Sequence, residues 1–245
     1  MDLTIVIPVY NSELILPKLI SEIDISLKGN NIKKEIILVN DHSKDNSWKI
    51  IRQLSKNYDF IKGINLDKNY GQHNAIIAGL KFGQGNFFIL MDDDFQHQPK
   101  YIIEIYNALT SGYDVCYVKY LNRKHQKWKI FVSWLNNIIA SLLAFKSIKI
   151  YTSSFKGFNR VINSKIINFR ERDIFLDWLI LSQTSNITII NVFHNERLSG
   201  KTNYNLRRLL ELWSIMILNI VPKNFPHKLW LILPKFFVKI IVYPF

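Results

Sequence analysis

The chain has 245 residues, of which 48% are hydrophobic, and this apolar content supplies a packed core and excludes an intrinsically disordered protein. Its formal net charge of +13 lies in one half, because residues 1–122 carry a net charge of −1 and residues 123–245 carry +14. This excess indicates an anionic partner. The sequence has no helix-turn-helix, zinc-finger or RNP-like pattern, which disfavours nucleic acid and leaves an anionic membrane surface as the better expectation.

The first half alternates between apolar runs typical of buried strands and amphipathic segments typical of helices, with short Gly, Asn, Asp and Pro punctuation. The strand-like runs are LTIVIPVY, KEIILVND, IKGINLD, NFFILMD and YDVCYVKY. This order predicts an α/β fold in which helices cover both faces of a mainly parallel, Rossmann-like sheet. The first run lacks the basic flank and length of a signal peptide, and Cys116 is the only cysteine, so a cytoplasmic chain without disulfides is expected.

The second half begins with an amphipathic helix predicted over residues 127–145. The segment SSFKGFNRVI is predicted as a loop that leads into a helix, ITIINVFH as a strand, and ERLSGKTNYN as a polar loop before a long apolar helix. The tail, residues 227–245, is apolar and aromatic but interrupted by prolines and lysines, which is typical of an interfacial segment rather than a transmembrane span. We therefore predict one α/β domain over 1–205 and a C-terminal apolar helix with a membrane-surface tail over 206–245.

Four polar clusters follow the first four predicted strands at the points where the strands end. They are PVYNSE, NDHSKDNS, DKNYGQHNA and DDD. The carboxyl ends of parallel strands share one edge of a sheet, and ligands of open α/β sheets bind there. A single cleft is therefore expected, lined by Asp41, Asn69, Gly71, Asp92 and Asp94.

The side chains of this cleft suit a phosphorylated ligand. Asp92 and Asp94 could hold a hard divalent cation that bridges a diphosphate, and Asp41 could accept hydrogen bonds from a base or ribose. Asn69 and Gly71 precede a helix whose N-terminal N–H groups favour a phosphate. The structural alternatives are a solvated acidic turn at 92–94, turn or cap roles for Asp41 and Asp45, and a tight turn at Gly71. The sequence has no GxGxxG after the first strand, no GxxxxGK[ST] and no Cys/His cluster, which disfavours a dinucleotide dehydrogenase, a P-loop NTPase and a zinc enzyme.

Four segments carry a resemblance to a known family. TIVIPVYNSE, LVNDHSKDNSW, LDKNYGQHNAIIAGL and LMDDDFQHQP resemble the successive motifs of family 2 glycosyltransferases with the GT-A fold. Within that family the similarity is greatest to enzymes that act on polyprenyl phosphate, such as bacterial undecaprenyl-phosphate sugar transferases and dolichyl-phosphate mannose synthases. The resemblance implies a GT-A fold and a nucleotide-sugar donor, with Mg²⁺ or Mn²⁺ as the cofactor.

The resemblance also implies roles for individual residues. Pro8, Tyr10 and Glu13 would border the nucleotide pocket, and Asp41 would contact the base. Asp92 and Asp94 match the two acidic residues of the family's DxD and would be metal ligands, with Asp94 the more direct one and Asp93 in the middle place, beside the nucleotide-sugar. The basic and aromatic residues expected at the diphosphate or acceptor phosphate are Arg123, Lys129, Lys156, Arg197, Lys201 and Tyr204. Lys156 stands where the family motif usually has Arg, and Asn203 where a Lys is often found.

The sequence therefore predicts a metal-dependent transferase that moves a sugar from a nucleotide-sugar to a polyprenyl phosphate on the inner face of the cell membrane, in cell-surface glycan biosynthesis. The alternative acceptor is a sugar hydroxyl of a growing polysaccharide or glycolipid. That reaction needs a base, for which Asp177 is the candidate, and otherwise Asp177 is a helix cap or surface charge. A non-enzymatic alternative is a basic membrane-binding module, which the retention of both Asp92 and Asp94 disfavours.

Overall fold

The structure is a computed structural model, and it describes residues 1–121, 152–168 and 176–193. These residues belong to one compact unit. The helix predicted over 127–145, the boundary predicted at residue 205 and the C-terminal helix and tail lie outside the described residues.

Seven strands form one sheet in the described part of the chain. They are β1 (Leu3–Val9), β2 (Lys34–Asn40), β3 (Ile61–Asn65), β4 (Phe87–Leu90), β5 (Val115–Leu121), β6 (Lys156–Asn159) and β7 (Ile187–Phe193). Their order across the sheet is β3-β2-β1-β4-β6-β5-β7. Only β6 among them runs against its neighbours, β4 and β5, while the other pairings are parallel. The prediction of a mainly parallel sheet is confirmed.

Six α-helices connect or flank these strands within the described residues. They are α1 (Leu16–Leu27), α2 (Ser47–Asn57), α3 (Gln72–Phe82), α4 (Ile102–Thr110), α5 (Arg160–Ile167) and α6 (Leu176–Gln183), and a 3₁₀ turn, Pro99–Tyr101, leads into α4. Pro17 lies in the first turn of α1 and Pro99 opens the 3₁₀ turn, where a missing N–H costs no helical hydrogen bond.

The alternation of side chains along β1 explains why helices cover both faces of the sheet. Leu3, Ile5, Ile7 and Val9 pack in the same apolar cluster as the inner faces of α1, α2 and α4. Val6 points to the opposite face, where α3 approaches so closely that a Cβ placed on Gly79 would lie 2.5 Å from a Val6 methyl carbon. The period of two in a strand thus distributes the apolar residues of β1 between the two helical layers.

One predicted element is wrong. The segment around Lys156, predicted as a loop, contains β6, which inserts antiparallel between β4 and β5. Its four residues are too few for a periodic pattern, and Gly157 disfavours a strand locally. The reason for a glycine here is close packing, because a Cβ at Gly157 would lie 2.5 Å from a side-chain carbon of Ile105 in α4.

In the stretches 1–121, 152–168 and 176–193, no helix combines the length and apolar character needed to cross a membrane.

Candidate active site

The loops that follow β1, β2, β3 and β4 each contain a residue with positive φ. These residues are Asn11 (56°), His42 (57°), Gly71 (86°) and Phe95 (60°). Asn and His tolerate this region, but for a bulky residue such as Phe95 it costs about 1–3 kcal/mol and is most often found at functional sites. Each of the four chain segments therefore turns sharply after its strand ends. All four turns lie at the same edge of the sheet, which is the edge predicted for the cleft.

The acidic triplet begins two residues after β4 ends at Leu90. The Asp92 carboxylate accepts a hydrogen bond from Gln72 Nε2 at 2.5 Å, and the Asp92 N–H donates to His97 Nδ1 at 3.0 Å. His97 Nε2 also lies 3.7 Å from Asp92 Oδ2. Asp92 is therefore held from two sides, while 25% of its side chain stays exposed to solvent.

Asp93 turns toward the loop after β1. Its Oδ2 accepts hydrogen bonds from the Tyr10 N–H at 3.2 Å and from Ser12 Oγ at 2.5 Å. Burial raises the pKa of Asp93 to about 6 against these two hydrogen bonds, which lower it, and the charges of Asp92 and Asp94 add to the rise. Asp93 thus joins the acidic triplet to the loop after β1, a contact that its sequence position did not reveal.

Asp94 accepts the N–H of Gln96 at 3.1 Å, an arrangement that caps the turn containing Phe95. No group of three or more His, Cys, Asp and Glu side chains suited to a metal occurs among the described residues. Mg²⁺ and Mn²⁺ do not need one, because they are often held by one or two carboxylates together with substrate phosphates and water. Asp92 and Asp94, which are separated by Asp93 at this edge of the sheet, fit that mode of binding.

Asp41 is buried at the end of β2 and links it to the loop before α3. One carboxylate oxygen accepts the N–H of Tyr70 at 2.7 Å, the other accepts the N–H of Gly71 at 2.9 Å, and Asn69 donates its side-chain amide to the Asp41 carbonyl at 3.1 Å. The anion that accepts from the Tyr70 and Gly71 N–H groups is thus the Asp41 carboxylate rather than a phosphate of a ligand. A direct contact between Asp41 and the base stays a prediction.

Glu13 and Asp45 tie the loop after β1 to the loop after β2. The Asn46 N–H donates to Glu13 at 2.8 Å, and the Glu13 N–H donates to Asp45 at 3.1 Å. Burial alone would raise the pKa of Asp45, but hydrogen bonds from the Ser47 hydroxyl and from backbone N–H groups hold it below its usual value. Nearby, Pro8 is buried in β1 and Tyr10 is 41% exposed, so of these two only Tyr10 offers its ring to a ligand.

Buried Lys156 and partly buried Asp177 form an ion pair. Lys156 is 4% exposed, its Nζ donates to Asp177 Oδ1, and the Tyr117 hydroxyl donates to the same oxygen at 3.0 Å. The surface-charge alternative for Asp177 is therefore wrong. Burial lowers the pKa of His73 in the first turn of α3, and the positive charge of Lys156 lowers it further.

The sequence of this cleft matches a family model. Residues 4–167 match the model described as "Glycosyl transferase family 2". The chain belongs to glycosyl transferase family 2. This membership confirms the family predicted from the four motif segments.

Curated members of the family are similar over most of the chain. Undecaprenyl-phosphate 4-deoxy-4-formamido-L-arabinose transferase of Yersinia pestis (strain Pestoides F) is 34% identical over 210 residues, which are 85% of this chain and 64% of that protein. The protein with the same name in Pseudomonas syringae pv. syringae (strain B728a) is 33% identical over 211 residues, covering 85% of this chain and 62% of that protein. The chain thus spans less than two thirds of the length of these curated relatives.

Solved structures show the same fold. Glucosyl-3-phosphoglycerate synthase from Mycobacterium tuberculosis, in complex with Mn²⁺, UDP and glucosyl-3-phosphoglycerate, superposes with a TM-score of 0.62 at 14% identity. The superposition covers 91% of this chain and 81% of that chain. The complex of the same enzyme with Mn²⁺ and UDP-glucose gives a TM-score of 0.64. The predicted GT-A fold is confirmed.

Sequence reasoning missed three residues of this family 2 site. Gln72 and His97 lie inside the motif segments that identified the family, so their positions were a usable signal. His97 is buried and stacked on Phe155, with ring centroids 4.9 Å apart, and its Nε2 lies 3.2 Å from Ser154 Oγ. Tyr117 gave no signal, because it stands in an apolar strand and resembles an ordinary core residue.

Several predicted site residues lie outside the described residues. They are Arg123, Lys129, Arg197, Lys201 and Tyr204. Their roles stay predictions from the family resemblance.

Proposed function

We propose that this protein transfers a sugar from a nucleotide-sugar to a polyprenyl phosphate, with a divalent cation at Asp92 and Asp94. The observation that carries the proposal is the cleft edge itself. There a family 2 chain places the acidic triplet just after β4 and the buried cation Lys156 at the start of β6, which pairs with β4. The carboxylates suit the positive charge of a metal ion, and the lysine suits the negative charge of the phosphates. Both parts of a metal-bound diphosphate therefore have partners there.

The relatives support both substrates. The curated relatives are named for transfer involving undecaprenyl phosphate and a modified arabinose. The solved neighbours were crystallised with Mn²⁺ and UDP or UDP-glucose.

The residues of the chain act chiefly on the departing nucleoside diphosphate. Asp92 and Asp94 would hold the cation, which when bound supplies positive charge to the diphosphate as the bond to the sugar breaks. Gln72 and His97 fix Asp92 so that little reorganisation is needed at that moment. Asp93 holds the loop after β1 against the triplet, and so keeps Tyr10 at the rim of the nucleotide pocket.

A phosphate acceptor needs no general base, because its oxygen is already anionic at neutral pH. A hydroxyl acceptor needs a base to take its proton, and Asp177 was the candidate. In this site Asp177 already accepts hydrogen bonds from Lys156 and Tyr117 on one oxygen. That engagement favours the phosphate acceptor.

The sugar-transfer reaction is tested by supplying undecaprenyl phosphate and a panel of radiolabelled nucleotide-sugars and counting label in the organic-extractable product. We expect one nucleotide-sugar to give extractable label in the presence of Mn²⁺ or Mg²⁺. We expect chelation by EDTA to remove the activity and added cation to restore it. Label that appears only in a water-soluble glycan would overturn the lipid acceptor, and full activity in EDTA would overturn the metal.

We further propose a peripheral location on the inner face of the cell membrane, with residues 1–205 as the catalytic domain and 206–245 as the membrane-surface part. The support is the net charge of +14 in residues 123–245 together with the aromatic tail. Lysines near an anionic surface contribute about 1 kcal/mol each, and interfacial aromatic residues add apolar burial.

Sedimentation with liposomes tests this location. We expect the whole chain to sediment with anionic liposomes and not with zwitterionic ones, and to be released by high salt because the attraction is screened. A matched variant in which Lys228, Lys235 and Lys239 become Gln should sediment less, while its transfer to a short-chain soluble acceptor is retained. Equal sedimentation of the variant and the wild type would assign the tail to the core or to an oligomer interface.

A further inference from the structure

Lys156 and Asp177 are 21 residues apart in the sequence and form one hydrogen-bonded unit with Tyr117. The Lys156 ammonium and the Tyr117 hydroxyl both donate to Asp177 Oδ1. Lys156 Nζ also lies 5.5 Å from the centroid of the Tyr117 ring. We call these three residues the Lys156 cluster.

The sheet register places this cluster at the cleft. Lys156 pairs with Leu90 of β4 on one side and with Tyr117 of β5 on the other. Leu90 stands two residues before Asp92, so Lys156 begins β6 at the edge where the acidic triplet leaves β4. The first turn of α3 lies close by, since His73 experiences the charges of Lys156, Asp177 and Asp92.

A buried lysine needs a partner for its charge. Lys156 is only 4% exposed, and the carboxylate of Asp177 is the anion that its ammonium contacts. Tyr117 approaches from β5 and adds a second donor to the same oxygen, which restricts where that oxygen can lie. If Asp177 took a proton from a substrate, it would leave Lys156 charged beside a neutral acid, a costly state in a buried site.

We propose that Asp177 is a positioning residue that acts through Lys156: Tyr117 orients Asp177, and Asp177 holds the Lys156 ammonium aimed at a phosphate oxygen of the substrate. This inference rests on the proposed function and deepens it. The phosphate belongs either to the nucleotide-sugar or to the acceptor, and the chemistry of recognition is the same for both.

A double-mutant cycle on Lys156→Met and Asp177→Asn tests the inference in the transfer assay. We expect each single variant to lower kcat/KM by about 10²-fold, the usual cost of removing one donor to developing phosphate charge. The double variant should be no worse than either single variant, because residues that act as a unit are not additive. Losses that multiply in the double variant would overturn the inference.

The pH profile of kcat separates positioning from base catalysis. If Asp177 positions Lys156, Asp177→Asn keeps the acidic limb of the wild-type profile at a lower rate. Loss of that limb in Asp177→Asn but not in Lys156→Met would make Asp177 the base. Tyr117→Phe should lower kcat/KM about 3- to 10-fold, as expected for one hydrogen bond, and Lys156→Arg should retain more activity than Lys156→Met.

The two Michaelis constants identify the phosphate. A raised KM for the nucleotide-sugar in Lys156→Arg, at an unchanged KM for undecaprenyl phosphate, assigns Lys156 to the donor, and the reverse assigns it to the acceptor. If neither KM nor kcat changes in any variant of the cluster, the inference fails. The matched control is Lys62→Met, which breaks the ion pair with buried Glu35 far from the cleft and should lower the thermal unfolding midpoint without changing kcat.

If the wild type transfers no sugar, the proposed function fails but the inference does not. A binding measurement then tests the inference by itself. We expect inorganic pyrophosphate, measured by calorimetry at pH 8 with EDTA present, to bind more weakly to Lys156→Met and also to Asp177→Asn. If Asp177 is only a neighbouring negative charge, its removal should tighten binding. Tighter binding to Asp177→Asn, or pyrophosphate binding that does not depend on Lys156, would contradict the positioning role.

Discussion

Asp94→Ala is expected to abolish detectable sugar transfer while leaving the fold intact. Asp94 lies beyond the end of β4, and the hydrogen bond that it accepts from Gln96 is local, so losing that bond should disturb the turn rather than the sheet. Its expected role is to hold the cation that neutralises the departing diphosphate, and this kind of electrostatic stabilisation is usually the largest single contribution to catalysis. A fall in kcat of at least about 10³-fold is therefore expected.

Alanine substitutions of the three carboxylates should differ in their effects on transfer activity. Asp92→Ala should also lose most activity, and it should remove the carboxylate that Gln72 and His97 hold in place. Asp93→Ala should lose less, and its effect should be a raised KM for the nucleotide-sugar, because the hydrogen bonds to Tyr10 and Ser12 are removed.

The measurement is initial transfer rate at several Mn²⁺ concentrations, with circular dichroism as the test of folding and Asp59→Ala, an exposed acid just before β3, as the control. If all three triplet variants retain the rate of Asp59→Ala, the metal site is not at 92–94.

The placement of the loops after β1, β2, β3 and β4 at one edge of the sheet could be predicted because it depends on chain order alone. Four apolar runs, each followed by polar residues, place Asp41, Gly71 and Asp92 at one edge once the strands are parallel, and the structure confirms the parallel pairing of β1 with β2 and β4. What a side chain does at that edge is a different question. Asp41 and Asp93 were expected to face a ligand, yet each accepts two hydrogen bonds from neighbouring loops.

The contacts that could not be predicted are those between segments that no local pattern joins. β6 is four residues long, and it is stabilised by pairing with β4 and β5 on both sides rather than by its own composition. Lys156 and Asp177 are 21 residues apart, and neither residue by itself indicates burial. Their pairing depends on the insertion of β6 into the sheet. Because this segment was predicted as a loop, the sequence did not predict the ion pair that distinguishes a phosphate acceptor from a hydroxyl acceptor.

Arg197→Ala is expected to remove most transfer to undecaprenyl phosphate. Arg197 lies in RLSGKTNY, outside the described residues, and the family resemblance predicts that it faces the diphosphate or the acceptor phosphate. A guanidinium binds phosphate through two parallel hydrogen bonds, and removing it leaves phosphate charge unpaired in a cleft already lined by carboxylates. We expect a loss of about 10²- to 10³-fold, comparable to the loss of one oxyanion donor.

Arg208→Ala, in the apolar helix predicted after that loop, is the control, because it removes the same charge from the basic half without touching the loop. The measurement is extractable label with undecaprenyl phosphate, set against label transferred to a hydroxyl-bearing polyprenyl glycan from the same donor. The comparison separates the two acceptors, because only the phosphate brings its own anionic oxygen and needs a fixed cation. Two results together would contradict the phosphate acceptor: Arg197→Ala retains the rate of Arg208→Ala, and the wild type prefers the hydroxyl acceptor. They would assign this chain to glycan extension, with Asp177 as the base.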